Sequence, residues 1–121
     1  MERPLVLVVE DEALIAWDME CALSEAGVRL ATSCSEANRF LENHTPAAAV
    51  LDVRLSDGDC YEAAKTLADR RVPFVVYTGL GVEGSHEAFS LGVTILKPTE
   101  PAEVARLLKA MTAGLHQRMA G

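Results

Sequence analysis

Five apolar residues in succession, Leu5-Val6-Leu7-Val8-Val9, run directly into three acids, Glu10-Asp11-Glu12. A half-exposed strand would alternate apolar and polar side chains, so an unbroken run marks a strand covered on both faces. Two-sided cover belongs to parallel sheets with helices above and below, which points the chain to the α/β class. From Ala13 the period changes: Leu14, Trp17 and Cys21 follow helical spacing among Asp18, Glu20 and Glu25, and Gly27 ends the segment.

The same unit then recurs. Residues 28–32 form a short second strand, and Ser33-x-x-Glu36 resembles a capping box for a helix with Ala37, Phe40 and Leu41 on one face. Residues 47–53 form a third strand with Asp52 near its end, followed by a helix that Asp59-x-x-Glu62 starts and Arg70-Arg71 closes. Pro73 opens a fourth strand that stops at Thr78-Gly79. Four glycines then fall between positions 79 and 92, leaving only residues 85–91 for a helix, two turns at most and expected to be marginal and mobile. Residues 93–96 form a fifth strand leading to Lys97-Pro98. The last helix starts near Pro101, uses Val104, Leu107, Leu108 and Met111 as its apolar face, and is expected to stop at Gly114. Residues 1–114 would then be one domain and 115–121 a tail. Five strand–helix units with short links and right-handed crossovers predict a doubly wound five-stranded parallel sheet.

The net charge is -7, and it is unevenly placed: residues 1–60 hold twelve acids and four bases, the remainder six acids and seven bases. Such a chain has no Lys/Arg stripe for nucleic acid and no polybasic patch for a membrane surface. No apolar run is long enough to span a bilayer and the start is not signal-like. The three cysteines, Cys21, Cys34 and Cys60, are odd in number and lack ligand spacing, so they read as reduced thiols of a cytoplasmic protein. The histidines at 44, 86 and 116 are far apart and read as solvated.

Open α/β sheets bind ligands outside the carboxyl ends of their strands. At those ends stand Glu10, Asp11 and Glu12, then Asp52, Thr78 and Lys97. Acids converging on one rim repel one another, and Mg²⁺ (or Mn²⁺ in its place) is the oxygen-seeking counter-charge that fits them. A carboxylate, a hydroxyl, an ammonium and a hard cation are the parts of phosphoryl transfer through an aspartyl-phosphate. Asp52 stands alone on its strand and is the candidate nucleophile. Thr78 and Lys97 are candidates for receiving charge on the phosphoryl oxygens.

These residues resemble a known family, the receiver domain of two-component response regulators. The resemblance rests on Val-Val-Glu10-Asp11-Glu12, Leu51-Asp52-Val-Arg-Leu, Thr78-Gly79 and Lys97-Pro98, in order, and covers residues 4 to about 113. It implies a flavodoxin-like (βα)5 three-layer sandwich with strand order 2-1-3-4-5. Asp52 would be the phosphoacceptor, and Glu10, Asp11, Asp52 and the backbone carbonyl of Arg54 would form the metal site. Thr78 and Lys97 would contact the phosphoryl group, and the Lys97-Pro98 bond would be cis. The donor would be a histidine kinase or histidine phosphotransfer protein, and the output would pass by contact with a downstream protein that the sequence does not name. The chain would be a monomer or weak dimer and a phosphoryl acceptor rather than a turnover enzyme. The segment Pro73-Phe74-Val75-Val76-Tyr77-Thr78-Gly79-Leu80 is also similar to the Pro-Phe-x-Phe-Ala-Thr-Gly-Tyr signature of stand-alone alphaproteobacterial receivers, departing at Val76, Tyr77 and Leu80.

One departure concerns switching. Most receivers carry an aromatic residue three positions before the lysine, where this chain has Thr94. Movement would then fall to the 79–92 loop. Arg54 would either flank the phosphoryl group or pair with Asp57 or Asp59, and the apolar Leu80 would leave the phosphoryl group long-lived. The competing readings are a phosphate sink or relay shuttle, a small aspartyl-phosphate phosphatase, and a receiver-like module that is never phosphorylated. The phosphatase reading needs an acid two positions after the nucleophile, where Arg54 stands.

Overall fold

The computed structural model describes residues 4–23, 26–55, 57–79, 87–97 and 100–120. In chain order the elements are β1 (Leu5–Val9), α1 (Ala13–Ala22), β2 (Gly27–Ala31), α2 (Cys34–Asn43) and β3 (Ala48–Leu51). A two-residue hairpin pair follows, β4 (Arg54–Leu55) and β5 (Gly58–Asp59), then α3 (Tyr61–Asp69), β6 (Phe74–Thr78), a 3-10 helix (Glu87–Leu91), β7 (Val93–Leu96) and α4 (Pro101–Ala120). The main sheet is parallel throughout, in the order β2-β1-β3-β6-β7. Counted over its own five strands this is the expected 2-1-3-4-5.

The unbroken apolar run serves two cores at once. Leu7 and Val9 of β1 join Ala49 and Leu51 of β3 and Phe74 and Val76 of β6 beneath α2, α3 and the 3-10 helix. Val6 and Val8 face the other way with Val50, Val75 and Tyr77, beneath α1 and α4. This is the period-2 alternation of a strand buried on both sides.

Two helical expectations are corrected. On α1 the buried residues are Ala16 and Met19, joined by Leu23 at its carboxyl cap, while Leu14, Trp17 and Cys21 lie exposed. Both sets recur at i, i+3, i+7, and a displacement of two residues rotates a helix by about 200°. Periodicity alone could not choose between them. On α4 the helix does not stop at Gly114 but passes through it to Ala120. A helical Gly costs about 1 kcal/mol relative to Ala, which flanking helix formers outweigh.

The caps also differ in detail. Ser33 accepts the Glu36 amide as expected, but Glu36 reaches Thr32. Cys60, not Asp59, occupies the cap position of α3. Arg71 ends α3 in the left-handed region at φ 59°, its amide bonded to the Ala68 carbonyl at 3.0 Å. A side chain there costs about 1–2 kcal/mol, partly offset by glycine's greater chain entropy. Arg71→Gly is therefore expected to stabilise the protein by about 0.5–1 kcal/mol in urea titrations.

The expectation of three reduced thiols is overturned for two of them. Cys34 and Cys60 form a disulfide, and Cys21 is free and exposed. The pair lies 26 residues apart in sequence, yet packing α2 against α3 brings their amino-terminal ends to a Cα–Cα distance of 5.3 Å. Spacing rules for ligands do not register such a meeting.

The fourth helix is short, as expected, but its described part is firmly held. Ala88 and Phe89 of the 3-10 helix are buried in the larger core against α3. Gly92 follows, and a methyl group there would run into the Phe74 ring and lie 2.8 Å from the Phe74 carbonyl oxygen. Of the 79–92 segment expected to be mobile, residues 80–86, with the role given to Leu80, lie outside the described residues.

Candidate phosphoryl-acceptor site

The rim is built by carrying the ladder one residue past each strand. The Glu10 amide donates to the Ala31 carbonyl at 3.0 Å, Asp52 to Val9 at 3.0 Å, and Lys97 to Thr78 at 2.8 Å. By strand phase, Glu10, Asp52 and Lys97 share the parity of Val8, Val50 and Ile95, all in the core under α1 and α4. They consequently meet. The Lys97 Nζ donates to Glu10 Oε1 at 2.8 Å and to Asp52 Oδ2 at 3.0 Å. Thr78 has the opposite parity, is buried, and lends its backbone carbonyl to Lys97.

Asp11 turns outward at the start of the bend and completes the acidic set. One carboxylate oxygen each from Glu10, Asp11 and Asp52 falls within 4.8 Å of the others. Three hard oxygen donors, one exposed to water and two largely buried, suit a divalent cation that keeps part of its hydration shell. The residues present fit the metal.

Electrostatics follow from burial. Glu10 is 3% exposed, and desolvation raises its pKa above the usual carboxylate value. The Lys97 hydrogen bond pulls it back, the charge of Asp52 pushes it further up, and the Glu12 amide, donating to Oε2 at 3.3 Å, lowers it. For Lys97, burial works to lower the pKa, but hydrogen bonds to Glu10 and then Asp52, with their charges, outweigh it and the net shift is upward. The ammonium is thus held charged between the two acids.

Two contributors escaped the sequence reading. The Tyr77 ring lies 5.5 Å from Lys97 Nζ, a cation–π distance, and walls the ammonium from the side of the second core. Their spacing across two adjacent strands was legible only once the Tyr77–Ile95 pairing was known. Asp57 is the second: its carboxylate accepts the Cys34 amide at 2.9 Å and the Ser35 amide at 3.0 Å, and these bonds hold its pKa below the usual value. Asp57 is therefore occupied at the amino end of α2. The side chains of Arg54 and Asp59, and the Lys97-Pro98 bond, lie outside the described residues. Thr94 is exposed on β7.

No family model matches the chain. Among solved structures it is similar to the receiver domain of HemR from Leptospira biflexa, at 26% identity and TM-score 0.77 over 91% of this chain and 94% of that one. It is likewise similar to the receiver domain of the sensor histidine kinase PA1611 from Pseudomonas aeruginosa, at 25% identity and TM-score 0.75 over 92% and 98%. The chain has the fold of a CheY-like receiver domain. Among curated proteins, the chain is 31% identical to the photosynthetic apparatus regulatory protein RegA of Rhodobacter capsulatus over 116 residues. It is 31% identical over 114 residues to the transcriptional regulatory protein PdtaR of Mycobacterium tuberculosis. It spans 62% and 54% of the lengths of those two relatives.

Proposed function

We propose that Asp52 accepts a phosphoryl group from the phospho-histidine of a histidine kinase or histidine phosphotransfer protein. The observation that carries the reading is the Lys97 ammonium bridging Asp52 and Glu10 beside Asp11. An Asp52 oxygen attacks phosphorus in line, the P–N bond breaks, and the histidine nitrogen leaves. Lys97 follows the phosphoryl oxygens as charge gathers on them, and Thr78, at the end of the neighbouring strand, would supply a hydroxyl donor to the phosphoryl group. Tyr77 keeps the ammonium aimed along the rim.

Mg²⁺ would be held by Glu10, Asp11, Asp52 and the Arg54 backbone carbonyl, and would neutralise charge on the phosphoryl group. The PA1611 receiver is described with a magnesium ion coordinated in its active-site cleft, which supports that choice of metal. The product stays covalently on the protein, so this is an acceptor and not a turnover enzyme. The signal then passes to a downstream protein by contact, from a monomer or weak dimer in the cytoplasm. Among the described residues no helix is long and apolar enough to cross a membrane. The matches at Pro73, Phe74, Thr78 and Gly79 are what supports kinship with the alphaproteobacterial group that carries the Pro-Phe-x-Phe-Ala-Thr-Gly-Tyr signature.

Acetyl phosphate with Mg²⁺ is the test. The wild type is expected to gain the mass of one phosphoryl group and Asp52→Asn none. An undiminished gain in Asp52→Asn would remove Asp52 from the role.

A further inference from the structure

The Cys34–Cys60 disulfide sits one hydrogen bond away from the phosphoacceptor segment. The Cys60 amide donates to the Val53 carbonyl at 3.1 Å, and Val53 follows Asp52 directly. The disulfide ties α2 covalently to Cys60, and the hydrogen bond from the Cys60 amide carries that tie to Val53. Asp57 fastens the same loop to the same helix end through the Cys34 and Ser35 amides and the Ser35 hydroxyl. Cysteines that meet in a reducing compartment are, as a rule, redox-sensing rather than permanent staples.

We propose that the Cys34–Cys60 pair is a reversible redox clamp that sets the rate at which Asp52 takes up phosphate. This rests on the reading of Asp52 given above. Cys34, the more exposed of the two, is the sulfur that an incoming small disulfide reaches first. With oxidised glutathione, the Cys34 thiolate attacks one glutathione sulfur and expels a glutathione thiolate. Cys60 then attacks Cys34 Sγ and expels the second. Two protein thiols are oxidised, one glutathione disulfide is reduced to two thiols, and the two protein protons pass to them. After reduction the Cys34 thiol has an acceptor at hand, the Gly58 carbonyl 3.4 Å from its sulfur, so the free thiol is accommodated in place.

The clamp acts by pre-organisation. With the disulfide closed, a covalent link holds the loop that follows Asp52 against α2; with it open, the Asp57 hydrogen bonds, the Cys34 thiol and the packing of Val53 and Leu55 hold it. The oxidised protein is therefore expected to take up phosphate from acetyl phosphate about threefold or more faster at sub-saturating Mg²⁺, and the Cys60 amide to exchange about tenfold more slowly.

The experiment uses the full chain with Cys21→Ser, so that the exposed third thiol takes no part. Peptide mapping after oxidised glutathione, and again after dithiothreitol, follows the bond itself. Phosphoryl uptake and Cys60 amide exchange are then compared in both forms and in a Cys34→Ala variant, whose rates should be redox-independent. Three results would each overturn the proposal: thiols that stay free in oxidised glutathione, a bond that dithiothreitol cannot open in the native protein, or equal uptake in the two forms. A rate difference that persists in Cys34→Ala would do the same. If neither form takes up phosphate, the Asp52 reading fails and the control of uptake fails with it. The mapping and the exchange data still decide separately whether the bond is a reversible clamp.

Discussion

Phe89→Ala is expected to destabilise the protein by about 3–5 kcal/mol, a large share of what a domain of this size possesses. Phe89 is fully buried in the larger core, in the same cluster as Leu67, Phe74 and Val76. It belongs to a 3-10 helix of five residues, too short to hold itself together. The ring is thus what attaches this element to α3, and its removal leaves a void that a close-packed interior fills poorly. Leu91, the last residue of the same helix, is 67% exposed, so Leu91→Ala should change stability by less than about 0.5 kcal/mol. Urea titration of the two variants gives the answer. Equal losses would mean that the helix is held by its own backbone and not by the ring.

The second expectation separates binding from chemistry. Lys97 pairs with Glu10 and Asp52, two of the three carboxylates that a cation would use. Lys97→Met removes that competitor, and Mg²⁺ affinity is expected to rise severalfold. Phosphoryl uptake should nevertheless fall by about 10²–10³, the usual effect of deleting one pre-organised donor to developing charge. Calorimetric Mg²⁺ titration and acetyl phosphate labelling measure the two effects separately. A variant that lost both together would place Lys97 in metal binding instead. Glu10 also loses its partner in this variant, so its already raised pKa should climb further.

The sheet was legible because its signal is one-dimensional. Residues 5–9 are an apolar run between Pro4 and Glu10, residues 93–96 a mainly aliphatic one between Gly92 and Lys97, and each became a strand with those limits. Glu10, Asp52, Thr78 and Lys97 could be read as rim residues because parallel topology puts every strand's carboxyl end on one side. What failed needed a second dimension. The choice between the Ala16–Met19–Leu23 and Leu14–Trp17–Cys21 stripes depends on where α4 packs. The β4–β5 hairpin, two residues a side, is too short to leave a periodic trace. Cys34 with Cys60, Asp57 with the α2 amides, and Tyr77 with Lys97 are contacts between elements distant in sequence or across strands. The extent of α4 beyond Gly114 depended on weighing one poor helix former against its good neighbours.

The alternation along β1 has a consequence for how this chain can change over generations. Leu7 and Val9 belong to one layer of the molecule, Val6 and Val8 to the other, and Glu10 follows in the same phase as Val8. Exchanging one of these aliphatic side chains for another alters a single contact. Deleting a single codon would instead swap the contents of both layers and turn the rim acids to the wrong sides. The first strand can therefore drift in its lettering but is held to one length, and the distance from Leu5 to Asp11 acts as a ruler for the site.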